Sequence, residues 1–124
     1  MTTFTIISYI YNSNKELHNE SLPYVVNSKK NIIIDHLESI SNLSDIDKCE
    51  IILINDNSSK YNDQYINNWH RKNYNIKINI INCKYYIGIF NCFNKAIDYA
   101  KGDYLLFTNI DFVYSNDIIK HLIN

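Results

Sequence analysis

Glycine and proline are almost missing from these 124 residues: there are two glycines, Gly88 and Gly102, and one proline, Pro23. Two glycines cannot make a Gly-x-Gly-x-x-Gly turn or a Walker loop, so the glycine-rich ways of cradling phosphate are excluded. No Gly-x-Ser-x-Gly elbow occurs, and serine or cysteine nucleophiles have no local signature. Cysteine is limited to Cys49, Cys83 and Cys92, an odd set without Cys-x-x-Cys or Cys/His zinc spacing. Free thiols in a reducing, cytoplasmic compartment are therefore expected. His18, His36, His70 and His121 have no metal-binding spacing and are expected as surface or core residues. Apolar runs such as Ile51–Ile54 and Tyr104–Phe107 fall far short of the roughly 20 residues of a membrane span, so no transmembrane segment is expected. The Met-Thr-Thr-Phe-Thr start has neither the positive charge nor the apolar stretch of a secretory leader. Without that route, the Asn-x-Ser matches at Asn19, Asn42 and Asn57 are accidents of an Asn-rich chain. Net charge is −1 and the basic residues are scattered, which excludes a nucleic-acid footprint.

What remains is the composition of one globular domain spanning residues 1–124, with 46% hydrophobic and 20% charged residues. Phe4–Ile10 is apolar and β-branched and reads as a buried first strand. A polar loop with a short helical turn is expected over 13–28. Lys29–Leu43 places Ile32, Ile33, His36, Leu37 and Ile40 near helical spacing. Glu50–Asn55 is a second short strand, running into the turn-forming Asp56-Asn57-Ser58-Ser59. Tyr61–Lys72 reads as a helix with Trp69 in its apolar stripe, Ile76–Asn82 as a third strand, and Ile89–Lys101 as a helix with Gly102 as its C-cap. Asp103–Thr108 is a fourth strand, followed by Asn109-Ile110-Asp111. A last helix is expected over Ser115–Ile123, capped by Ser115 or Asn116. Strand and helix alternate throughout, which implies an α/β fold with a mostly parallel sheet and helices on both faces.

Ligands of such sheets bind beyond the carboxyl ends of the strands. Tyr11-Asn12, Asp56-Asn57-Ser58 and Asn109-Ile110-Asp111 each follow a strand, so three polar clusters converge on one edge. Asp111 can help hold a hard divalent cation, Mg²⁺ or Mn²⁺, on a diphosphate, or it can cap the helix that follows. Asp56 can accept from a ribose hydroxyl or a base N–H, or it can cap the helix near Tyr61. Tyr11 can stack on a base or simply pack.

In this order the segments resemble family 2 glycosyltransferases of the GT-A, Rossmann-like fold. The resemblance rests on Ile6-Ile7-Ser8-Tyr9-Ile10-Tyr11-Asn12, Asn55-Asp56-Asn57-Ser58, Tyr86-Ile87-Gly88, Phe93-Asn94-Lys95-Ala96-Ile97, Ala100 to Phe107, and Asn109-Ile110-Asp111. It implies a nucleotide-diphosphate-sugar donor, a UDP-sugar first, with Tyr11 beside the base and Asp56 and Ser58 on the nucleoside. Asp111 and Asn109 would hold the divalent cation. The implied reaction is an inverting transfer to a glycan, protein or lipid acceptor. Three positions soften the family pattern: Asn55 and Asn109 each replace an Asp, and Phe93 stands where Arg is frequent. Family members extend well beyond the metal motif into an acceptor-binding half. The chain is therefore expected to be the N-terminal, donor-binding portion, without a nominated catalytic base and with exposed apolar surface that favours homo-oligomers. The competing expectation is a non-catalytic module that binds a nucleotide sugar or a protein partner.

Overall fold

The computed structural model describes residues 2–11, 32–58 and 61–123. The loop expected over 13–28, with Asn12 and His18, lies outside them. Four parallel strands, β1 (Phe4–Ile10), β2 (Cys49–Asn55), β3 (Lys77–Asn82) and β4 (Tyr104–Asn109), form one sheet in the order β3-β2-β1-β4. Helices α1 (Ile32–Ser41), α2 (Tyr61–Lys72) and α3 (Ile89–Ile97) lie in the three connections, with a 3₁₀ turn at Ile46–Lys48, and α4 (Ile118–Ile123) follows β4.

The central strands explain their own composition. All seven residues of β1 are buried, because both faces of that strand are covered. Alternate side chains feed two cores. Ile6, Ile10, Ile51 and Leu53 pack with Ile33, Leu37 and Ile40 of α1, Ile66 and Trp69 of α2, and Ile119 of α4. Ile7, Ile52, Ile54 and Ile81 pack with Cys92 and Ala96 of α3. Trp69 is core, as its place in the apolar stripe implies, and its Nε1–H donates to Glu38 Oε1 at 2.7 Å. The second face is thinly covered over the edge strand β4, where Leu105 and Phe107 are 38% and 42% exposed.

Several boundaries differ from expectation. Strand β2 begins at Cys49, β3 at Lys77, and β4 runs from Tyr104 to Asn109. Helix α1 begins at Ile32 among the described residues and ends at Ser41, not Leu43. Helix α3 stops at Ile97, and Gly102 is not its cap. The chain leaves the helix early because the 101–102 backbone must reach the amino ends of β1 and β2. There Lys101 N–H donates to Glu50 Oε2 at 2.6 Å and Gly102 N–H to Thr5 Oγ1 at 2.9 Å. A Cβ on Gly102 would lie 2.5 Å from the Thr5 nitrogen, so glycine is required by close approach. Helix α4 begins only at Ile118. Asn116 lies before it and gives its carbonyl to the N–H and Oγ of Ser44, at 2.8 and 2.9 Å.

Candidate functional site

The carboxyl ends of β1, β2 and β4 are zipped together by one further backbone bond on each side. Asp56 N–H donates to Ile10 O at 2.9 Å, and Ile110 N–H to Tyr9 O at 3.0 Å. The residues that follow these strands are thereby fixed at one edge, as the strand order requires.

Asp56 is fully buried. Its Oδ1 accepts from Ile87 N–H at 2.8 Å, while Oδ2 accepts from Gly88 N–H at 2.9 Å and from the Tyr9 hydroxyl at 2.6 Å. These bonds hold the loop that leads into α3 and put the carboxylate at that helix's amino end, where negative charge is favoured. Gly88 turns this loop with φ +89°, a conformation that side chains rarely adopt. Burial, and next the hydrogen bond to Asp56, push the Tyr9 phenol far above its ordinary range, so it stays a donor. Tyr9 was not singled out from sequence. Its even spacing from Thr5 and Ile7 puts it on the α3 face, and that parity was the available signal.

The loop held by Asp56 carries Tyr86, which is exposed and packs against exposed Tyr11 with ring centroids 4.9 Å apart and tilted by 60°. Ser58 is half-buried, and its hydroxyl and N–H both donate to Asn55 Oδ1. Asn55 in turn donates from Nδ2 to Asn82 Oδ1 at 3.2 Å. Asn57 occupies a left-handed conformation, φ 51°, which Asn tolerates.

Asp111 is exposed and lies seven residues before α4, so it does not cap that helix. A turn closed by Phe112 N–H to Asn109 O, 3.1 Å, carries it. Asn109 is half-buried, and its Oδ1 accepts from Ile110 N–H at 3.1 Å. The turn is tethered from the α1 side: His36 Nδ1 lies 2.6 Å from Phe112 O and Nε2 2.8 Å from Ser8 Oγ, and the ring packs against Tyr114. Burial lowers the His36 pKa, against the opposing pull of the Phe112 carbonyl and the Asp111 charge. The neutral ring therefore donates to Phe112 O from Nδ1 and accepts from Ser8 at Nε2. His36 is the core residue its helical position implies, and its tether to the Asp111 turn went unforeseen. Phe93, where the family pattern favours Arg, packs edge-on to Tyr9 and at 4.8 Å between centroids against Phe107.

The oxygen donors of Asp111 and Asn109 suit a hard cation such as Mg²⁺ or Mn²⁺. Asp56, Cys83 and Cys92 also bring ligand atoms within 4.8 Å of one another. Three donors already occupy the Asp56 oxygens, and burial keeps the Cys92 thiol protonated, so this cluster is unsuited to a cation.

A parallel α/β sheet with its polar residues gathered beyond one strand edge defines a Rossmann-like domain, and here it is of the GT-A kind. Residues 18–124 match the family described as Glycosyl transferase family 2, and the chain belongs to that family. Strand β1 and Tyr11 precede the matched segment, so their likeness rests on fold. Among solved structures, the mannosyltransferase PcManGT from Pyrobaculum calidifontis, in complex with GDP-Man and Mn²⁺, is similar with a TM-score of 0.76 and 16% identity. That likeness covers 98% of this chain and 32% of the mannosyltransferase. S. aureus TarS 1-349 is similar with a TM-score of 0.72 and 19% identity, over 98% of this chain and 31% of its own. A TarS 1-349 complex with UDP gives a TM-score of 0.71 and 18% identity, over 98% and 31%. The chain thus spans about a third of these structures' lengths. No curated protein matches it. No helix among the described residues is long and apolar enough to cross a membrane.

Proposed function

We propose that this chain forms the donor side of a glycosyltransferase that moves a sugar from a nucleotide diphosphate sugar, a UDP-sugar first, to a glycan, protein or lipid acceptor with inversion. The observation that carries the reading is the joining of two features at one edge: the Tyr11–Tyr86 aromatic pair, braced by Asp56, and the Asn109–Asp111 turn. Exposed aromatic faces offer stacking to a nucleobase, and the exposed Asp111 carboxylate with the Asn109 carbonyl oxygen suits Mn²⁺ or Mg²⁺. The cation, when bound, neutralises charge on the diphosphate leaving group. Asp56 is fully buried beneath the loop it holds, so its part is to position the base-side loop; contact with the nucleoside requires that loop to move. Ser58 donates its hydroxyl proton to Asn55, so it meets the nucleoside through its oxygen as an acceptor. The GDP-Man and UDP bound by the similar structures support a nucleotide-sugar donor. Three unpaired cysteines fit a cytoplasmic setting, and exposed Phe90, Leu105 and Phe107 support self-association of the chain.

A nucleotide-sugar-binding module without turnover is the second reading. The observation favouring it is Asn109, which carries no charge and spends part of its oxygen on Ile110. Calorimetric titration with UDP, GDP and dTDP, each with and without Mn²⁺, tests both. Metal-dependent binding that disappears in Asp111→Ala is the expected result, and no binding of any nucleotide refutes both readings. Nucleotide release in the presence of an acceptor separates the enzyme from the module.

A further inference from the structure

The donor reading makes no use of the pair Cys83 and Cys92. We propose that these two thiols are a redox modification site, converted by a small oxidant into an intrachain disulfide that clamps the loop between them. The inference stands apart from the donor reading, since it concerns only the cysteines and the loop.

Their sulfurs lie 3.8 Å apart in the core between the sheet and α3. A disulfide needs them at about 2.05 Å, so the link calls for side-chain rotation and a small shift of α3. Each partner has its own anchor. Cys83 follows β3 and donates its N–H to Asn55 O at 2.8 Å, whereas Cys92 lies in α3 and donates its N–H to Gly88 O at 3.0 Å. Between them runs the segment 84–91, which carries Tyr86 and the two N–H groups that bind Asp56. Cross-linking its ends removes the route by which this loop can swing away from the sheet. The Asp56 carboxylate lies within 4.8 Å of both sulfurs, and burial first and then neighbouring groups, Asp56 among them, favour the protonated Cys92 thiol.

Cys83 is 5% exposed and Cys92 fully buried, so Cys83 is the entry point and Cys92 the resolving thiol. Burial restricts attack to small, uncharged oxidants. With a diazene such as diamide, the Cys83 sulfur bonds to one nitrogen of N=N and its proton goes to the other. The Cys92 sulfur then displaces that nitrogen from Cys83, and its proton follows the leaving nitrogen. Two thiols lose two electrons and two protons, and the diazene becomes a hydrazine. Cys49 serves as the internal control: it is buried at the start of β2, with its thiol directed to Asp45 O at 3.3 Å.

The experiment treats the folded chain with diamide, alkylates it, and maps peptides without reduction. Free thiols, counted after denaturation, should fall from three to one, with Cys83 joined to Cys92 and Cys49 still free. Cys83→Ser and Cys92→Ser should each abolish the intrachain link. Hydrogen exchange at Ile87 and Gly88 in the oxidised wild type should slow by about tenfold or more, and dithiothreitol should reverse it. Three thiols remaining after treatment, a link through Cys49 or between two chains, or equal exchange in both forms would overturn the proposal.

Discussion

Replacing Asp56 by Asn changes one atom and leaves the side-chain shape intact, so its effect isolates the hydrogen bonds around the buried carboxylate. In the wild type Oδ1 serves Ile87 N–H, and Oδ2 serves both Gly88 N–H and the Tyr9 hydroxyl. An amide has one oxygen. Placed at the Oδ2 position, that oxygen keeps Tyr9 and Gly88 but sets an NH₂ against Ile87 N–H. Placed at Oδ1, it keeps Ile87 and sets the NH₂ against Gly88 N–H, while Tyr9 can rotate its hydroxyl to accept. In either orientation one buried backbone donor is stranded, costing about 1–3 kcal/mol. The surviving bonds also lose their charge assistance, about 1 kcal/mol more. Asp56→Asn should therefore lower stability by about 3 kcal/mol, a large share of a typical single-domain stability of about 5–15 kcal/mol. Urea unfolding followed by far-UV circular dichroism measures this as a lower midpoint at unchanged slope. The thermal midpoint should drop by about 10 °C or more. Hydrogen exchange at Ile87 and Gly88 should rise more than exchange in β2. A loss below about 0.5 kcal/mol, the level of an ordinary surface substitution, would show that the carboxylate does not brace the loop.

Asp111→Ala, at an exposed position, should leave the unfolding midpoint within about 0.5 kcal/mol of wild type while removing Mn²⁺-dependent nucleotide binding in calorimetry. Asn109→Asp restores a charge beside Asp111 and should tighten Mn²⁺ by about tenfold at constant ionic strength; equal affinity would remove Asn109 from the cation site. Gly102→Ala forces a Cβ against the Thr5 and Phe4 backbone and should cost about 3 kcal/mol in urea unfolding. His36 is held neutral in the fold, below its ordinary pKa, so the unfolded chain takes up its proton first as pH falls. Its contribution to stability is present above about pH 6.5 and declines below it, by up to about 1.4 kcal/mol per pH unit. Urea titrations between pH 7.5 and 5 should show this slope in wild type and a shallower one in His36→Gln.

The strand and helix order was legible because β1 and β2 are covered on both faces and are mostly apolar, whereas α1 carries its apolar side chains at helical spacing. Where elements end was less so. Ile97 ends α3 because Lys101 and Gly102 are required at Glu50 and Thr5, partners about 50 and 100 residues away in the chain. The sequence places the candidate site at strand ends, and Tyr11, Asp56 and Ile110, the described residues just past β1, β2 and β4, follow adjacent parallel strands. Their division of labour was not readable. Asp56 and Asp111 are alike in sequence context, yet one is sealed by Tyr9 and the α3 loop and the other is open to solvent.

By itself the sequence determined the alternation of strand and helix, the parallel sheet that follows from it, and the edge where its polar residues collect. These depend on local periodicity and on the length of each connection, which a linear chain carries in full. Only the tertiary structure decided that Asp56 serves as a brace, that His36 tethers the Asp111 turn, and that Cys83 and Cys92 touch. Each of those outcomes depends on which side chains from distant segments fill the space around a group, and that is set when the two faces of the sheet are packed.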